Sequence, residues 1–288
     1  MNRRRFLQQS AALAAGAGAL GVSSAPIGAM NRSPGAPNVD KLGWRLGCQA
    51  WTFNKFSFVE ALDKTAELGL HYIEAFPGQK LSADKPREKM DPSLSAEART
   101  EVRKRLADKD IKLVNFGVCV ADKKTFDFAK DMGIETLVSE PPFDAFDGLD
   151  KLCEEYQINV ALHDHPRPSR YWSPDIVLKS CQDHSKRIGA CCDTGHWMRS
   201  ELVPVDCLKK LEGRVISFHV KDLNEFGPKA HDVPWGTGRG DLKAILAEVN
   251  RQKVKPVFSM EYEHKFTMAE LAQCVAYFDK VAAELLGD

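Results

Sequence analysis

One short segment, CCDTGHW at residues 191–197, places two cysteines, an aspartate and a histidine within six positions. Thiolates, carboxylates and imidazoles bind metal ions, and the last two also transfer protons in catalysis. The segment could therefore be a zinc site, a redox pair, half of a carboxylate–histidine metal site, or a strand end without chemistry. The residues around it in the fold must decide between these interpretations.

Other polar residues recur at a spacing that suits a strand. Three pairs are separated by one residue: His163 with His165, His219 with Lys221, and Glu261 with Glu263. Residues two apart on a strand face the same side of the sheet, so the members of each pair would point the same way. Four further candidates stand near strand ends: Glu74, Glu140, Asp193 and His196.

The elements that must position these residues alternate regularly from residue 44 onward. The strand candidates are 45–53, 72–78, 112–120, 136–142, 159–166, 187–196, 215–223 and 256–263, with helical segments between them. Eight such repeats predict an α/β fold, a (β/α)8 TIM barrel, as a single domain over residues 44–288. A doubly wound sheet is the second option, but the first strand candidate carries no Gly-rich phosphate turn.

The strand ends of such a barrel meet at one rim, which is where its active site lies. The candidate residues would therefore converge, and inward-facing carboxylates need a compensating cation. A divalent metal ion supplies this charge. Carboxylate and imidazole ligands suit Mn, Co, Mg, Fe or Zn, and the sequence does not choose among them.

The chain resembles the xylose isomerase-like barrels of the sugar phosphate isomerase and epimerase superfamily. Four pieces carry the resemblance: DTGH (193–196), HVKD (219–222), Glu261, and the Gly-rich VPWGTGRGDLKAIL (233–246). The resemblance covers about residues 44–284, and these pieces stand in the order and strand context of the family's pattern.

The resemblance implies a metal site made by Asp193, His219 and Glu261, completed by either Glu140 or His163. Ketose epimerases of this family carry a glutamate on the fifth strand, which serves as both ligand and base. The matching position here is His163. This departure leaves the fourth ligand open, and it puts a simple ketose 3-epimerisation in doubt.

The chemistry that the resemblance implies is proton removal next to a carbonyl, through an enediolate, as in an isomerase or epimerase. We expect Glu140 and Glu261 to act as acid and base, and Lys221 to stabilise the negative charge. Substrate-binding candidates are His163, His165, His196, Glu74, Trp51 and Trp235, with Phe53 and Trp197 as further aromatic candidates.

The sequence is also compatible with several alternatives. The same enediolate could lose a β-substituent, which would make the protein a lyase or dehydratase acting on 3-keto-glycosides or inososes. A non-catalytic periplasmic sugar-binding barrel would keep the same ligands. An endonuclease IV-like nuclease would need extra histidines on the second and third strands, where this chain has none. A redox role for Cys191 and Cys192 ranks low, because adjacent strand residues face opposite sides.

Composition and the N-terminus restrict the partners. Lys plus Arg and Asp plus Glu are 40 each in 288 residues, so no basic excess favours nucleic acid. Residues 1–30 resemble a twin-arginine signal peptide, with arginines at 3–5 before a short Ala/Gly-rich segment. Residues 31–43 read as a linker.

The signal predicts a bacterial, exported or periplasmic protein without a membrane anchor after cleavage. We therefore expect a small, unphosphorylated keto-sugar or related carbohydrate as the partner, and a homo-oligomer remains an option. The eight cysteines show no repeated spacing, and we expect most of them to be small buried hydrophobic residues.

Overall fold

The computed structural model describes residues 34–85 and 87–287, and a closed barrel of parallel strands forms its centre. The strands are β1 (Arg45–Gln49), β2 (Tyr72–Ala75), β3 (Gln79–Lys80), β4 (Lys89–Met90), β5 (Lys112–Cys119), β6 (Thr136–Ser139), β7 (Asn159–His163), β8 (Ile188–Asp193), β9 (Val215–Val220) and β10 (Val257–Met260). β3 and β4 pair as a small antiparallel hairpin. The other eight close the barrel, since β1 pairs with both β2 and β10.

Helices follow the barrel strands, as the predicted alternation requires. They are α1 (Pro37–Lys41), α2 (Phe58–Glu67), α3 (Ala96–Asp108), α4 (Lys123–Met132), α5 (Phe146–Tyr156), α6 (Pro174–Cys181), α7 (Thr194–Arg199), α8 (Pro204–Lys210), α9 (Leu242–Gln252) and α10 (Met268–Gly287). The predicted (β/α)8 barrel in one domain is therefore confirmed. Among the described residues, no helix combines the length and apolar character needed to cross a bilayer.

Local sequence signals explain where these helices begin and end. Ser57 starts α2 with a capping box, in which its side chain and that of Glu60 bond each other's backbone N–H groups. Gly133 ends α4 in the left-handed conformation, with a φ of 74°.

Two packed layers hold the barrel together. The main core lies between the strands and the surrounding helices, where Trp44, Phe258 and Phe278 pack with their ring centroids 5.0–6.4 Å apart. A second, small cluster inside the barrel contains Cys191, while its neighbour Cys192 belongs to the outer core. The two cysteines face opposite sides of β8, as expected. All eight cysteines are free, and only Cys119 among them is more than marginally accessible.

Of the segment predicted as a linker, residues 31–43, the structure describes residues 34–43, and half of these are helical. Pro37–Lys41 forms α1, in which Val39 is fully buried, and the Asn38 backbone and side chain both bond the Asp279 carboxylate on α10. Turn-forming composition concealed a helix that is stabilised by packing against the barrel. The predicted signal peptide at residues 1–30 lies outside the described residues.

Candidate active site

Parallel pairing brings the ends of four barrel strands to one rim. His163 at the end of β7 is in register with Cys191 on β8, and Asp193 at the end of β8 is in register with His219 on β9. Glu261 follows directly after β10, and its backbone N–H bonds the carbonyl of Val220. The site is therefore assembled from neighbouring strands, each of which contributes a side chain near its carboxyl end.

Four side chains meet at this rim, His163, Asp193, His219 and Glu261, and we call them the inner cluster. One ligand atom from each lies within 4.8 Å of the others. His219 Nδ1 is 3.1 Å from both His163 Nε2 and Glu261 Oε2. Asp193 Oδ2 is 3.7 Å from His163 Nε2 and 3.9 Å from His219 Nδ1. Tetrahedral ligands at about 2.1 Å from an ion stand about 3.4 Å apart, so these separations suit one metal ion.

Lys221 supplies a positive charge to the same carboxylates. Its Nζ lies 2.5 Å from Asp193 Oδ2 and also bonds Glu261 Oε2. Burial would lower the pKa of Lys221, but Asp193 and Glu261 raise it well above the usual value. Burial would likewise raise the pKa of Glu261, and Lys221 and His219 lower it instead. The ammonium and both carboxylates are thus held in their charged forms.

Glu74 lies inside the barrel beneath the inner cluster and is fully buried. Its Oε1 accepts a bond from Gln49 Nε2 at 2.9 Å and lies 2.8 Å from His219 Nε2. Its Oε2 accepts bonds from Ser259 Oγ at 2.8 Å and Asn115 Nδ2 at 3.3 Å. Glu74 does not line the cavity above the cluster. The predicted role in substrate binding is therefore corrected. The Glu74 side chain points into the barrel as predicted, but it lies one layer below the residues that line the cavity.

Glu140 is turned toward two histidines of β7 and the loop after it. Its Oε1 lies 3.2 Å from His163 Nδ1 and contacts His165 Nδ1 as well. Burial would raise the pKa of Glu140, but the bonds to His163 and His165 lower it to about 2. Glu140, His163 and His165 form a second group of potential metal ligands, which we call the outer cluster.

β8 ends at Asp193, three residues before the predicted end, because its side chain caps the following helix. Asp193 Oδ1 accepts a bond from the backbone N–H of His196 at 2.8 Å, which leaves Oδ2 for the inner cluster. The Asp193 N–H in turn bonds Asp164 Oδ1 at 2.7 Å. Burial, followed by the charge of Asp193, raises the pKa of Asp164 well above its usual value. Sequence reasoning missed Asp164, since alternation places it on the outer side of its strand.

A cavity of about 270 Å³ opens over the inner cluster. The side chains that line it include three histidines, two carboxylates and two aromatic rings: His163, His165, His196, Glu261, Glu263, Trp51 and Phe76. The rings of His165 and His196 stack with centroids 5.3 Å apart, and Trp51 meets the Phe76 ring edge-on at 4.9 Å. Among residues 34–85 and 87–287, no lysine or arginine lines this cavity. Its size is just below the range of about 300–1,000 Å³ common for small-molecule sites.

Of the four aromatic residues predicted to bind substrate, the structure places one at the cavity. Trp51 is 42% exposed and lines the cavity. Trp235 is 3% exposed and packs against Phe278 in the outer core; Trp197 and Phe53 are also buried there. Trp235 is therefore corrected from a substrate-binding residue to a core residue. Phe76, which follows β2, was missed, and its position at a strand end was the signal that could have found it.

Arg199, three residues after His196 on α7, is a third residue that sequence reasoning missed. Its Nη1 lies 2.5 Å from Glu263 Oε2 and 3.1 Å from His196 Nδ1, and its Nη2 lies 3.5 Å from Asp232 Oδ2. Burial lowers the pKa of His196 well below its usual value. A neutral His196 that accepts from Arg199 at Nδ1 carries its proton on Nε2, next to the inner cluster. The i, i+3 spacing on a helix was the available signal.

The Gly-rich segment after β9 wraps a carboxylate. Asp222 accepts the backbone N–H groups of Gly236 and Gly238 at Oδ2, at 2.9 and 3.0 Å, and that of Gly240 at Oδ1, at 3.1 Å. A side chain on Gly238 would come within 2.2 Å of Asp222 Oδ1. The amides that a phosphate could use in such a loop are therefore engaged by the protein itself.

Comparisons with known proteins agree with this architecture. The family model for the xylose isomerase-like TIM barrel matches residues 62–277. The solved structure of an uncharacterized protein from Parabacteroides distasonis ATCC 8503 is 33% identical, with a TM-score of 0.69 and coverage of 83% of this chain and 99% of that one. An uncharacterized protein of Sinorhizobium fredii (strain NBRC 101917 / NGR234), y4fM, is 28% identical over 127 residues, 43% of this chain but only 40% of that protein.

Two further structures show similarity of fold alone, because their sequence identity is low. A xylose isomerase-like TIM barrel protein from Mycobacterium smegmatis, in complex with magnesium, is 14% identical with a TM-score of 0.69, over 84% of this chain and 98% of that one. L-Ribulose 3-epimerase is 16% identical with a TM-score of 0.64, over 84% of this chain and 95% of that one.

Proposed function

This chain belongs to the xylose isomerase-like TIM barrel family, and we propose that it is a metal-dependent isomerase or epimerase of an unphosphorylated sugar. The reaction would remove a proton from a carbon next to a carbonyl group. One observation carries the proposal: the donor atoms of the inner cluster converge directly beneath a cavity lined by histidines and carboxylates. Acid–base groups and a potential metal site would therefore face the same substrate in this cavity.

The donor set fits a divalent ion. Two imidazole nitrogens and two carboxylate oxygens, with no thiolate among them, suit Mn, Co, Mg, Fe or Zn. His163, Asp193, His219 and Glu261 would hold such an ion, which supplies Lewis-acid polarisation of a substrate carbonyl when bound. The two carboxylates balance its charge. Lys221, which bonds both carboxylates from outside the cavity lining, would favour at a distance the negative charge that develops on the substrate as the proton departs.

Proton transfer falls to groups that reach the cavity. Glu261 lines it directly, whereas Glu140 does not and contacts it through His165. We assign Glu261 to one side of the substrate and the pair of Glu140 and His165 to the other. The Nε2–H of His196 would donate to a substrate hydroxyl.

The charges around the cavity favour an unphosphorylated substrate. Arg199 is engaged by Glu263 and Asp232, and the Gly-rich loop amides are engaged by Asp222. In the part of the chain that the structure describes, the cavity offers no lysine or arginine side chain to a phosphate. Its own Glu261 and Glu263 would repel one.

Hydrogen exchange at the substrate carbon tests the proposal. Metal-reconstituted protein would be incubated in D₂O with a panel of ketoses, their phosphate esters and 3-keto-glycosides, and followed by NMR. We expect deuterium next to the carbonyl of an unphosphorylated member, together with an isomer or epimer. An elimination product would identify the lyase alternative, which uses the same enediolate. Absence of any exchange over the whole panel would support a sugar-binding barrel and contradict the proposal.

We also propose that the protein is exported through the twin-arginine pathway and acts in the periplasm, where unphosphorylated sugars are the available substrates. The support is the sequence of residues 1–30. Replacing the arginines at 3–5 with lysine should retain the full-length protein in the cytoplasm of a bacterium that has this exporter. Equal amounts of both forms in the periplasm would contradict the assignment.

A further inference from the structure

Each imidazole of the inner cluster uses one ring nitrogen in the cluster and turns the other to a carboxylate outside it. His219 presents Nδ1 to the cluster and Nε2 to Glu74 at 2.8 Å. His163 presents Nε2 to the cluster and Nδ1 to Glu140 at 3.2 Å. The two arrangements mirror each other, although the carboxylates come from different strands: Glu74 lies on β2 and Glu140 directly follows β6, with β5 between them.

We propose that Glu74 and Glu140 are paired positioning residues, which fix opposite tautomers of His219 and His163 so that both present a free lone pair to one ion. The inference rests on the proposed metal-dependent function. It also names His163, and not Glu140, as the fourth ligand. Carboxylates on the far nitrogen of a ligating histidine orient the ring and increase its basicity.

The groups around Glu74 direct hydrogen-bond donors at both of its carboxylate oxygens. Gln49 Oε1 takes the backbone N–H of Trp51 at 2.9 Å, so the amide of Gln49 must direct its Nε2–H groups toward Glu74. Ser259 and Asn115 donate to the other carboxylate oxygen. With these donors directed at both of its oxygens, Glu74 accepts from His219 as well, so the nitrogen of His219 that faces it carries the proton. The neutral ring then has its lone pair on Nδ1, inside the inner cluster.

Glu140 acts in the same way on the other side of the cluster. One of its oxygens, Oε1, contacts Nδ1 of both His163 and His165, and these two nitrogens are 3.3 Å apart. If both carry protons, the carboxylate oxygen accepts from both, and their Nε2 atoms hold the lone pairs. That places one lone pair of His163 in the inner cluster and one of His165 toward the cavity that it lines.

The outer cluster allows a competing arrangement, in which Glu140, His163 and His165 hold an ion of their own. In that case Glu140 would be a ligand and His163 would bridge two ions. The two arrangements predict different numbers of ions per chain. Stoichiometry therefore separates them.

The test combines metal binding with histidine tautomers in the full-length protein. Mn²⁺ affinity and stoichiometry would be measured by calorimetry for wild type, Glu74→Gln and Glu140→Gln, and ring tautomers by long-range ¹H–¹⁵N NMR without metal, at a pH where both rings are neutral. We expect about one ion per chain throughout and an affinity about 10- to 100-fold lower in each variant. Wild type should show Nε2–H for His219 and Nδ1–H for His163, and each variant should lose the defined tautomer of its own histidine.

Glu248→Gln is the matched control, because Glu248 is a buried carboxylate on α9 that bonds Arg251 and Gln252. It should bind Mn²⁺ as wild type does. Thermal unfolding would identify a variant that fails to fold. Since Glu140 is partly exposed, Glu140→Gln keeps the test valid even if Glu74→Gln does not fold.

Three results would overturn the inference. The first is an Mn²⁺ affinity within threefold of wild type in the folded variants. The second is a wild type with two ions per chain, one of which is lost in Glu140→Gln. The third is the opposite tautomer at either histidine. A wild type that binds one ion and exchanges substrate protons, with variants that bind equally well, would contradict this inference alone. A wild type that binds no ion would contradict the proposed function as well.

Discussion

At the level of single residues, the site combines groups whose charges hold one another in place. Asp193 and Glu261 are kept ionised by the ammonium of Lys221, which bonds both. Buried charges of this kind are tolerated only in compensating sets. Lys221 is therefore assigned two roles. Its ammonium neutralises the two carboxylates, and its positive charge favours the negative charge that would develop on the substrate.

Replacing Lys221 with methionine separates these roles. In Lys221→Met the two carboxylates lose a competing cation, so Mn²⁺ affinity should stay the same or increase. The turnover number should fall about 10²- to 10³-fold, which is the usual loss when a charge that stabilises the transition state is removed. Calorimetry and NMR-monitored turnover measure the two effects, with the exposed Lys209→Met on α8 as control. Loss of metal binding together with activity would contradict the assigned role.

A second single-residue prediction concerns Asp232, which is 2% exposed. Burial raises its pKa to about 7, against the opposing effects of Lys221 and Arg199. The folded state thus binds this proton more tightly than the unfolded state, so Asp232 makes the protein less stable as the pH rises from about 4 to about 7.

In Asp232→Asn this pH-dependent loss should disappear. Relative to wild type, the variant's free energy of unfolding should rise between pH 4 and pH 7 by up to about 4 kcal/mol, which corresponds to three pKa units. Urea unfolding at several pH values measures the difference. Asp206→Asn, an exposed carboxylate on α8, should follow wild type. Parallel pH profiles for wild type and Asp232→Asn would show that Asp232 is ionised throughout.

At the level of elements, α7 connects the barrel to the site through its first turn. Its N-terminus is capped by Asp193, and Gly195 lies directly against β9 and the loop after it. A Cβ at residue 195 would come within 2.7 Å of the Cβ and Cδ atoms of Lys221. The glycine in DTGH is therefore needed for close approach, since any side chain would displace the Lys221 ammonium.

Gly195→Ala should accordingly impair catalysis more than folding. We expect a loss of about 1–3 kcal/mol in the free energy of unfolding, as for other overpacked sites, and a turnover number close to that of Lys221→Met. Gly148→Ala is the matched control, because residue 148 lies within α5 and has nothing within 4 Å of an added Cβ. That variant should gain about 0.5–1 kcal/mol of stability. Wild-type turnover in Gly195→Ala would contradict the packing argument.

For the whole molecule, the alternation of short strands and helices was enough to predict a closed barrel with its site at the strand ends. The ordered motifs around Asp193, His219 and Glu261 were enough to predict which side chains meet. These features depend on local periodicity and on residue order, both of which are visible in one sequence. The same signals located His163 and Glu140, but not which ring nitrogen faces which partner.

The errors share a physical cause, which is that depth and packing depend on contacts between distant segments. Glu74 was placed at the cavity, yet its four buried partners come from β1, β5, β9 and β10. Trp235 was placed at the cavity, yet it fills a space against Phe278 on α10. The segment before residue 44 was read as a linker, yet α1 packs on α10. Single-sequence patterns carry no information on such distances.

The proposed chemistry depends on a divalent ion bound by the inner cluster. The most direct test is elemental analysis of purified protein, paired with deuterium exchange before and after chelation. We predict about one divalent ion per chain in wild type and almost none in His219→Ala. Substrate exchange should stop on treatment with EDTA and return with added Mn²⁺. Exchange that continues unchanged in metal-free wild type, or an ion content unaffected in His219→Ala, would contradict the claim.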